Sequence, residues 1–475
     1  MAKCEKKLYP NCDSAVWLRS CEEEVTKPLE GDVTGEIPAW IDGSLLRNGP
    51  GSLKVGAMRF NHLFDSSALL HRLVNVYLLL PAYVASLFKP SELLSDNAMI
   101  SLYPFGDEMY AFTEGPVIHR IDPVTLDTLE RKNLMDSVAL VNHTSHPHVM
   151  PNGDVYNVGM SIVKGRLRHV VVKFPFTEKG DMFENARVVG SMKPRWSLHP
   201  AYMHTFGITD NYFVIIEQPL AVSVCGAARN HVLNRPLISS LHWYPEEETH
   251  IVLISRQSGK EENRFRTDTL FFLHIINCFE MNGKMVVDLC AYKDAKVLDA
   301  MYIDAIESMQ TNAEYAEWFR ARPKRLELPL GAPPGSRAAA RRLADVGCET
   351  PRIHYSLLNG RPYQYFYAIS SDVDAENPGA IIKVDTATGE VRTWHDTDWY
   401  PSEPVFIPHP HAKAEDDGVL LSALVRGGSE DSESAHALAL LVLDSRDLRE
   451  LGRATFRTPS PAPKCLHGWF LPAGI

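Results

Sequence analysis

Apolar positions along the chain fall mostly into short runs. HVVVKF (169–174), YFVIIE (212–217), HIVLIS (250–255), MVVDLC (285–290), AIIKVD (380–385) and LALLVLD (438–444) are strand-like. Such runs predict buried strands. One stretch differs. Ala295 to Arg322 carries helix-favouring residues with apolar positions three or four apart, which predicts a helix covering one end of a β body. The basic cluster Arg320, Arg322, Lys324 and Arg325 at its end reads as a solvated helix terminus, and Arg337, Arg341 and Arg342 as a second solvent-facing cluster. Glu415-Asp416-Asp417-Gly418 reads as an exposed turn. The longest apolar stretch, Leu73 to Phe88, has 16 residues, is interrupted by Asn75, Pro81 and Ser86, and falls short of the ~20 residues that span a bilayer. It predicts a core segment or a patch dipping into one leaflet.

The strand signals recur. FGDEMYAFTEGP (105–116) parallels FGITDNYFVIIEQP (206–219), each with Phe-Gly, an Asp-containing turn, an apolar strand and Glu-x-Pro. A strand-ending Asp followed by turn residues appears at Asp122, Asp385 and Asp444, spaced by 263 and 59 residues. An Asp-led turn between strands is a hairpin signature. Irregular repeats of this size across 475 residues give seven or eight units and suit a β-propeller. No flexible linker separates the units, so 1–475 reads as a single domain with the helical segment as its cap.

Composition narrows the classes. With 48 Lys and Arg against 59 Asp and Glu, the formal net charge of −11 argues against nucleic-acid partners. No secretory signal follows Met1, and no transmembrane segment is predicted. The eight Cys form no C-x-x-C pair and read as reduced thiols of a cytoplasmic protein. P-loop, G-x-S-x-G, H-E-x-x-H and G-x-G-x-x-G motifs are all absent.

Histidine carries the candidate chemistry. Of 19 His, four sit in apolar, strand-like surroundings: His146 in TSHPHV, His204 in AYMHTFG, His274 in FFLHIIN and His467 in CLHGWF. Their separations of 58, 70 and 193 residues approximate multiples of the repeat. The innermost strands of a propeller line its axis, so four such rings can converge there. Neutral imidazole is the commonest metal ligand. Each His alone reads as a satisfied core residue; four in register point to a metal. Glu114, Glu349 and Glu403, in AFTEGP, GCETPRI and YPSEPVF, are candidate acceptors for the spare ring N–H of such ligands. By strand alternation His148 could join His146, whereas His409 and His411 in PHPHA read as a surface loop. These residues do not choose between iron and zinc.

Ordered motifs add a resemblance. GSLLRNGPG (43–51), HLFD-x-x-ALLHR (62–72), SDNAMIS (95–101), TSHPH, AYMHTFG, His274-x-x-Asn277-x-x-Glu280, CETPRI, YPSEP, EDDGVLLS and LHGWF run from about residue 25 to the C-terminus. Together they resemble the carotenoid cleavage oxygenase family, which includes β-carotene oxygenases and a retinoid isomerase. VNHTSHPHV, CETPRI and YAISSDVDAENPG are most similar to the insect, NinaB-type carotenoid isomerooxygenases. The resemblance implies an all-β, seven-bladed β-propeller with a helical dome over the metal face. It implies Fe(II) held by His146, His204, His274 and His467, with Glu114, Glu349 and Glu403 behind His204, His274 and His467 respectively. His146 has no such partner, and His148 is not carried over. It further implies O2 as co-substrate, cleavage of a carotenoid double bond (β-carotene or zeaxanthin type) to aldehydes with all-trans to 11-cis isomerisation, and peripheral membrane contact.

The chain departs from the family pattern in one place. Arg72 runs directly into the segment 73–94, which lacks expected early-blade strands and a Pro-Asp-Pro-Cys loop, and Ser66 stands where Gly is usual. A shortened blade motivates a second class, a non-catalytic carotenoid or retinoid carrier. Retinyl-ester isomerohydrolysis at the same iron is a third reading.

Overall fold

The computed structural model describes residues 7–74, 77–80, 97–197, 199–233 and 235–473. Among the described residues, seven sheets of four to six strands, antiparallel apart from the edge pair Glu261–Thr267 with Ser336–Arg337, are arranged as the blades of a propeller, with two further two-stranded ribbons. The innermost strands are Ser101–Phe105, His148–Val149, Gly207–Ile208, Phe271–Met281, Glu349–Arg352, Val405–Pro408 and His467–Pro472. Apolar clusters fill the spaces between neighbouring blades, as where Val214, Ile216, Phe265, Met285, Val287 and Leu326 interlock.

The repeats seen in sequence have a structural cause. Asp122, Asp385 and Asp444 each begin the turn from a blade's third strand to its fourth. Each side chain accepts a backbone N–H two residues on, at 2.7, 2.8 and 2.9 Å. Four residues after each Asp, the chain enters the left-handed region, at Leu126, Gly389 and Leu448. The amide there donates back to the Asp carbonyl. The Phe-Gly repeats likewise mark the hairpins from the first strand to the second in two blades.

The chain's two ends close the ring together. His467–Pro472 pairs with Gly43–Ser52, and Asp32–Gly35 pairs with Glu450–Arg457, so two blades mix early and late strands. The blade that takes in part of the atypical segment has five strands, because Tyr77–Leu80 pairs with both Ser67–Val74 and Val25–Glu30. The remainder of the segment, 81–94, and with it most of the proposed leaflet patch, lies outside the described residues.

The single helix expected over 295–322 is instead three short helices, Lys296–Asp299, Ile303–Ser308 and Tyr315–Trp318, with a 3-10 turn between the last two. Tertiary hydrogen bonds break the periodicity: Leu63 N donates to Met301 O and Ile303 N to Asn61 O, both at 3.0 Å. The basic cluster at its end is also corrected. Arg322 opens a strand, Arg322–Pro329, and Arg325 is buried in a two-pronged ion pair with Asp288, at 2.8 and 2.7 Å. The turn 415–418 is half-buried, since Glu415 accepts the amides of Gln364 and Tyr365.

Candidate metal centre

His146, His204, His274 and His467 converge on the propeller axis, with one ring nitrogen from each within 4.8 Å of all the others. Ring centroids stand 4.6 to 5.0 Å apart across the group. No other such group of metal-ligating side chains occurs among the described residues.

Local structure aims each ring. His274 lies on Phe271–Met281 where Leu273 and His274 together oppose the single residue Cys290. Such a bulge turns a side chain away from the regular alternation. Thr205 pins it, its hydroxyl donating to Leu273 O at 2.7 Å and accepting from Ile275 N at 3.2 Å. The same Thr follows His204, so two of the rings are fixed to each other. His146 sits in a loop whose backbone is held by Thr144 and Asn157. His467 begins the last strand, opposite Asn48.

Carboxylates set the ring tautomers. His204 Nδ1 donates to Glu114 Oε1 at 2.5 Å, His274 Nδ1 to Glu349 Oε2 at 2.5 Å, and His467 Nδ1 to Glu403 Oε1 at 2.9 Å. An ionised carboxylate only accepts, so the proton is on Nδ1 and Nε2 carries a bare lone pair. His146 faces no carboxylate; its Nε2 lies 3.1 Å from that of His204.

Burial disfavours the charged form of His467 and His146. It holds His467 down at about 4 even against the pull of Glu403. His146 is driven well below the ordinary histidine value, first by burial and then by its three neighbouring rings. Burial alone would raise the carboxyls of Glu349 and Glu403, but both end below the usual carboxylate range. His274 does this for Glu349; Arg352 and His467 do it for Glu403.

The donor set fits a cation. His274 Nε2 is buried with no hydrogen-bond partner, and the bare His204 Nε2 faces the His146 ring rather than a donor of fixed identity. Buried lone pairs turned toward one another repel unless they share a positive charge. Imidazole donors alone suit iron, zinc, copper or nickel.

Other supports escaped the sequence reading. Arg352 and Arg47 clamp Glu403, with Arg352 Nε 2.9 Å from Oε1 and Arg47 Nη1 3.3 Å from Oε2. Tyr202 OH donates to Glu114 at 3.0 Å. Thr350, left-handed at φ 49°, turns its N–H onto Glu349 Oε2 at 3.0 Å. A β-branched residue in that region is strained. Arg47 lies in the quoted GSLLRNGPG motif, yet nothing in that motif marks it as a partner of residue 403. His148 is not in the cluster: its ring bonds Tyr355 OH and Phe206 O, at 2.7 and 2.9 Å. His143 bonds Thr144 O, and His409 and His411 lie on a largely exposed loop.

Two spaces meet the four rings. One, of mixed polarity, holds about 680 Å3, part of it open to solvent, and is lined by His148, Asn277, Arg352 and Tyr355 among others. The other holds about 1370 Å3, part of it open to solvent, beneath the short helices. Its walls are mainly apolar: Trp17, Phe64, Leu273, Met301, Ile306 and Phe319 contribute, and His204, His274 and His467 close its inner end.

The family model described as retinal pigment epithelial membrane protein, RPE65, matches residues 18–74 and 85–472. The chain belongs to this family. A carotenoid isomerooxygenase of Galleria mellonella is 68% identical, covering 99% of each chain. A β,β-carotene 15,15'-dioxygenase of Gallus gallus is 33% identical, over 95% of this chain and 97% of its own. Among solved structures, a Synechocystis apocarotenoid oxygenase superposes with TM-score 0.77 at 21% identity, covering 98% of this chain and 100% of that one, which shows the shared propeller fold.

Proposed function

We propose that the protein is a carotenoid-cleaving dioxygenase of the isomerooxygenase type, with Fe(II) held by His146, His204, His274 and His467. The observation that carries this reading is the mainly apolar cavity ending on three of four bare imidazole nitrogens. The full-length likeness to a carotenoid isomerooxygenase supports it. Iron is preferred over other imidazole-binding metals on the family resemblance.

Bound at the four histidines, ferrous iron would supply the O2 activation needed to cleave a polyene double bond into two aldehydes. The remaining work falls to the chain. Glu114, Glu349 and Glu403 hold Nδ1 protons in place and make the opposite nitrogens better donors. Arg47 and Arg352 keep Glu403 ionised and prevent it from turning inward as a ligand. The apolar walls bind a long rigid hydrocarbon, exclude water and place one bond near the histidines. The same walls are where an all-trans chain would be held in a rotated geometry for 11-cis formation.

A hydrocarbon substrate dissolves in membranes, so peripheral membrane contact follows as part of the proposal. No helix among the described residues is long and apolar enough to cross a membrane. The seven described cysteines are all free, in keeping with a reducing, cytoplasmic setting.

The test is aerobic incubation of iron-loaded protein with β-carotene, followed by chromatography of the products. Retinal aldehydes, part of them 11-cis, are expected. Pigment that stays bound and uncleaved would favour a carrier instead. Supply of a retinyl ester, with 11-cis alcohol as the only product, would favour isomerohydrolysis.

A further inference from the structure

Among the described residues, the wall of the apolar cavity contains one lysine and no arginine. Lys464 lines it beside Cys12 and Trp17 and is only 7% exposed. Its backbone N–H donates to Val16 O at 3.0 Å, and its ammonium lies over the Trp17 ring, 5.1 Å from the centroid. Among the described residues Nζ has no hydrogen bond and no ion pair. Its electrostatic neighbours are Cys12, Cys465 and Arg47, none of them a carboxylate. Asp13, in the same wall, is already spent: its oxygens accept the amides of Ala15 and Gly428, at 3.0 and 2.6 Å. Burial lowers the lysine to about 8.

The amine opens into the cavity, and a purely hydrocarbon ligand that covered it would strip it of water and offer no acceptor in return, which is costly. A ligand oxygen at that point would satisfy it, whether the amine is charged or neutral. The lysine is also tied to the metal centre. It precedes His467 by three residues, a distance of at most ~11 Å between Cα atoms.

We propose that Lys464 is a specificity-determining residue that selects carotenoids bearing an oxygen, as hydroxyl or keto group, on the end group lodged in this cavity. The inference rests on the proposed carotenoid cleavage and adds to it the residue that reads the end group. Lys464 donates a hydrogen bond to that oxygen; Trp17 holds the amine in position without offering an acceptor. Substrates lacking the oxygen lose that bond and strand the amine, which is the stronger form of discrimination.

The experiment compares zeaxanthin, which is dihydroxylated, with β-carotene as competing substrates of the iron-loaded protein. The ratio of their kcat/KM values is measured in wild type, Lys464→Met and Lys464→Gln. Wild type should favour zeaxanthin. Lys464→Met should lower the ratio about tenfold, the worth of one hydrogen bond to a charged donor. Lys464→Gln, which keeps an N–H donor of similar length, should restore part of it. A binding ratio from quenching of tryptophan fluorescence should move in parallel, independently of turnover. An unchanged ratio in Lys464→Met and Lys464→Gln would overturn the inference and leave the cleavage reading standing. If wild type cleaves neither pigment, the cleavage reading fails, and the binding ratios still decide the lysine's role. Should Lys464→Met not fold, the Gln variant and its ratios alone decide.

Discussion

A carboxylate placed against one ring nitrogen decides what the other can do. Glu349 fixes the His274 tautomer, and its loss should be felt at the metal before it is felt in the fold. Glu349→Gln keeps an acceptor but removes the charge. It is expected to weaken metal affinity by about 10- to 100-fold with the melting temperature little changed, as metal titration and calorimetry would show. Other buried histidines make a separate prediction. Burial pulls His62 and His169 down to about 4 and His71 to about 3. In the unfolded chain these groups take up protons near pH 6.5, while the folded protein resists until far lower. Their contribution to stability is therefore intact above pH 6.5 and is lost as pH falls toward 4, at a ceiling of roughly 3 kcal/mol each. Asp65, raised to about 6 by burial, acts in the opposite direction over part of that window, but it is one group against three. Thermal melts from pH 7 to pH 4.5 should show a steady loss of melting temperature; a flat profile would refute this. At this scale the four histidines and three glutamates were visible in sequence, because the histidines are spaced near multiples of the repeat and the glutamates stand in apolar or Pro-flanked stretches. Arg47, Arg352 and Tyr202 were not, because their partners lie far along the chain and only the closed ring brings them together.

Elements show where pattern reading holds and where tertiary structure overrides it. Short apolar runs became strands because each fills the space between two blades. The 295–322 segment has helical periodicity, yet the strand-like residues 61–63 take its backbone donors and acceptors at Met301 and Ile303 and cut it into pieces. Arg325 follows the same lesson, since a basic run in sequence gives no sign that Asp288 waits on the adjacent strand. The bulge at His274 could not be read from sequence either, because it depends on a single-residue mismatch with Cys290. Turns were more legible where an Asp leads them, as at Asp122, Asp385 and Asp444. Asn282-Gly283 and Lys164-Gly165 are both two-residue hairpin connections with positive φ at each position. Asparagine tolerates that region and lysine does so at a cost. Exposed Lys164→Asn is therefore expected to stabilise the protein by about 0.5 kcal/mol, read as a higher denaturant midpoint with an unchanged slope.

The whole molecule makes the metal centre a product of ring closure. His467 comes from the last strand, Arg47 and Asn48 from an early one, and they meet only because chain start and chain end share a blade. Asn48 also reaches the next blade, donating to Ala98 O at 2.7 Å and Ser101 O at 3.0 Å. A shortened segment after Arg72 therefore need not disturb the site, since the blade retains its inner strands and none of the seven site residues lies in the altered stretch. Seven blades were within reach of the repeat spacing, but the count depended on this composite closure, which no local motif encodes. The most direct test of the account is X-ray absorption at the iron edge on the purified, aerobically active protein and on His204→Ala. One iron per chain in an all-nitrogen and oxygen environment with imidazole scattering, lost in the variant, is the predicted result. A protein that turns over carotenoid with no bound iron, or whose iron is undisturbed by loss of His204, would contradict it.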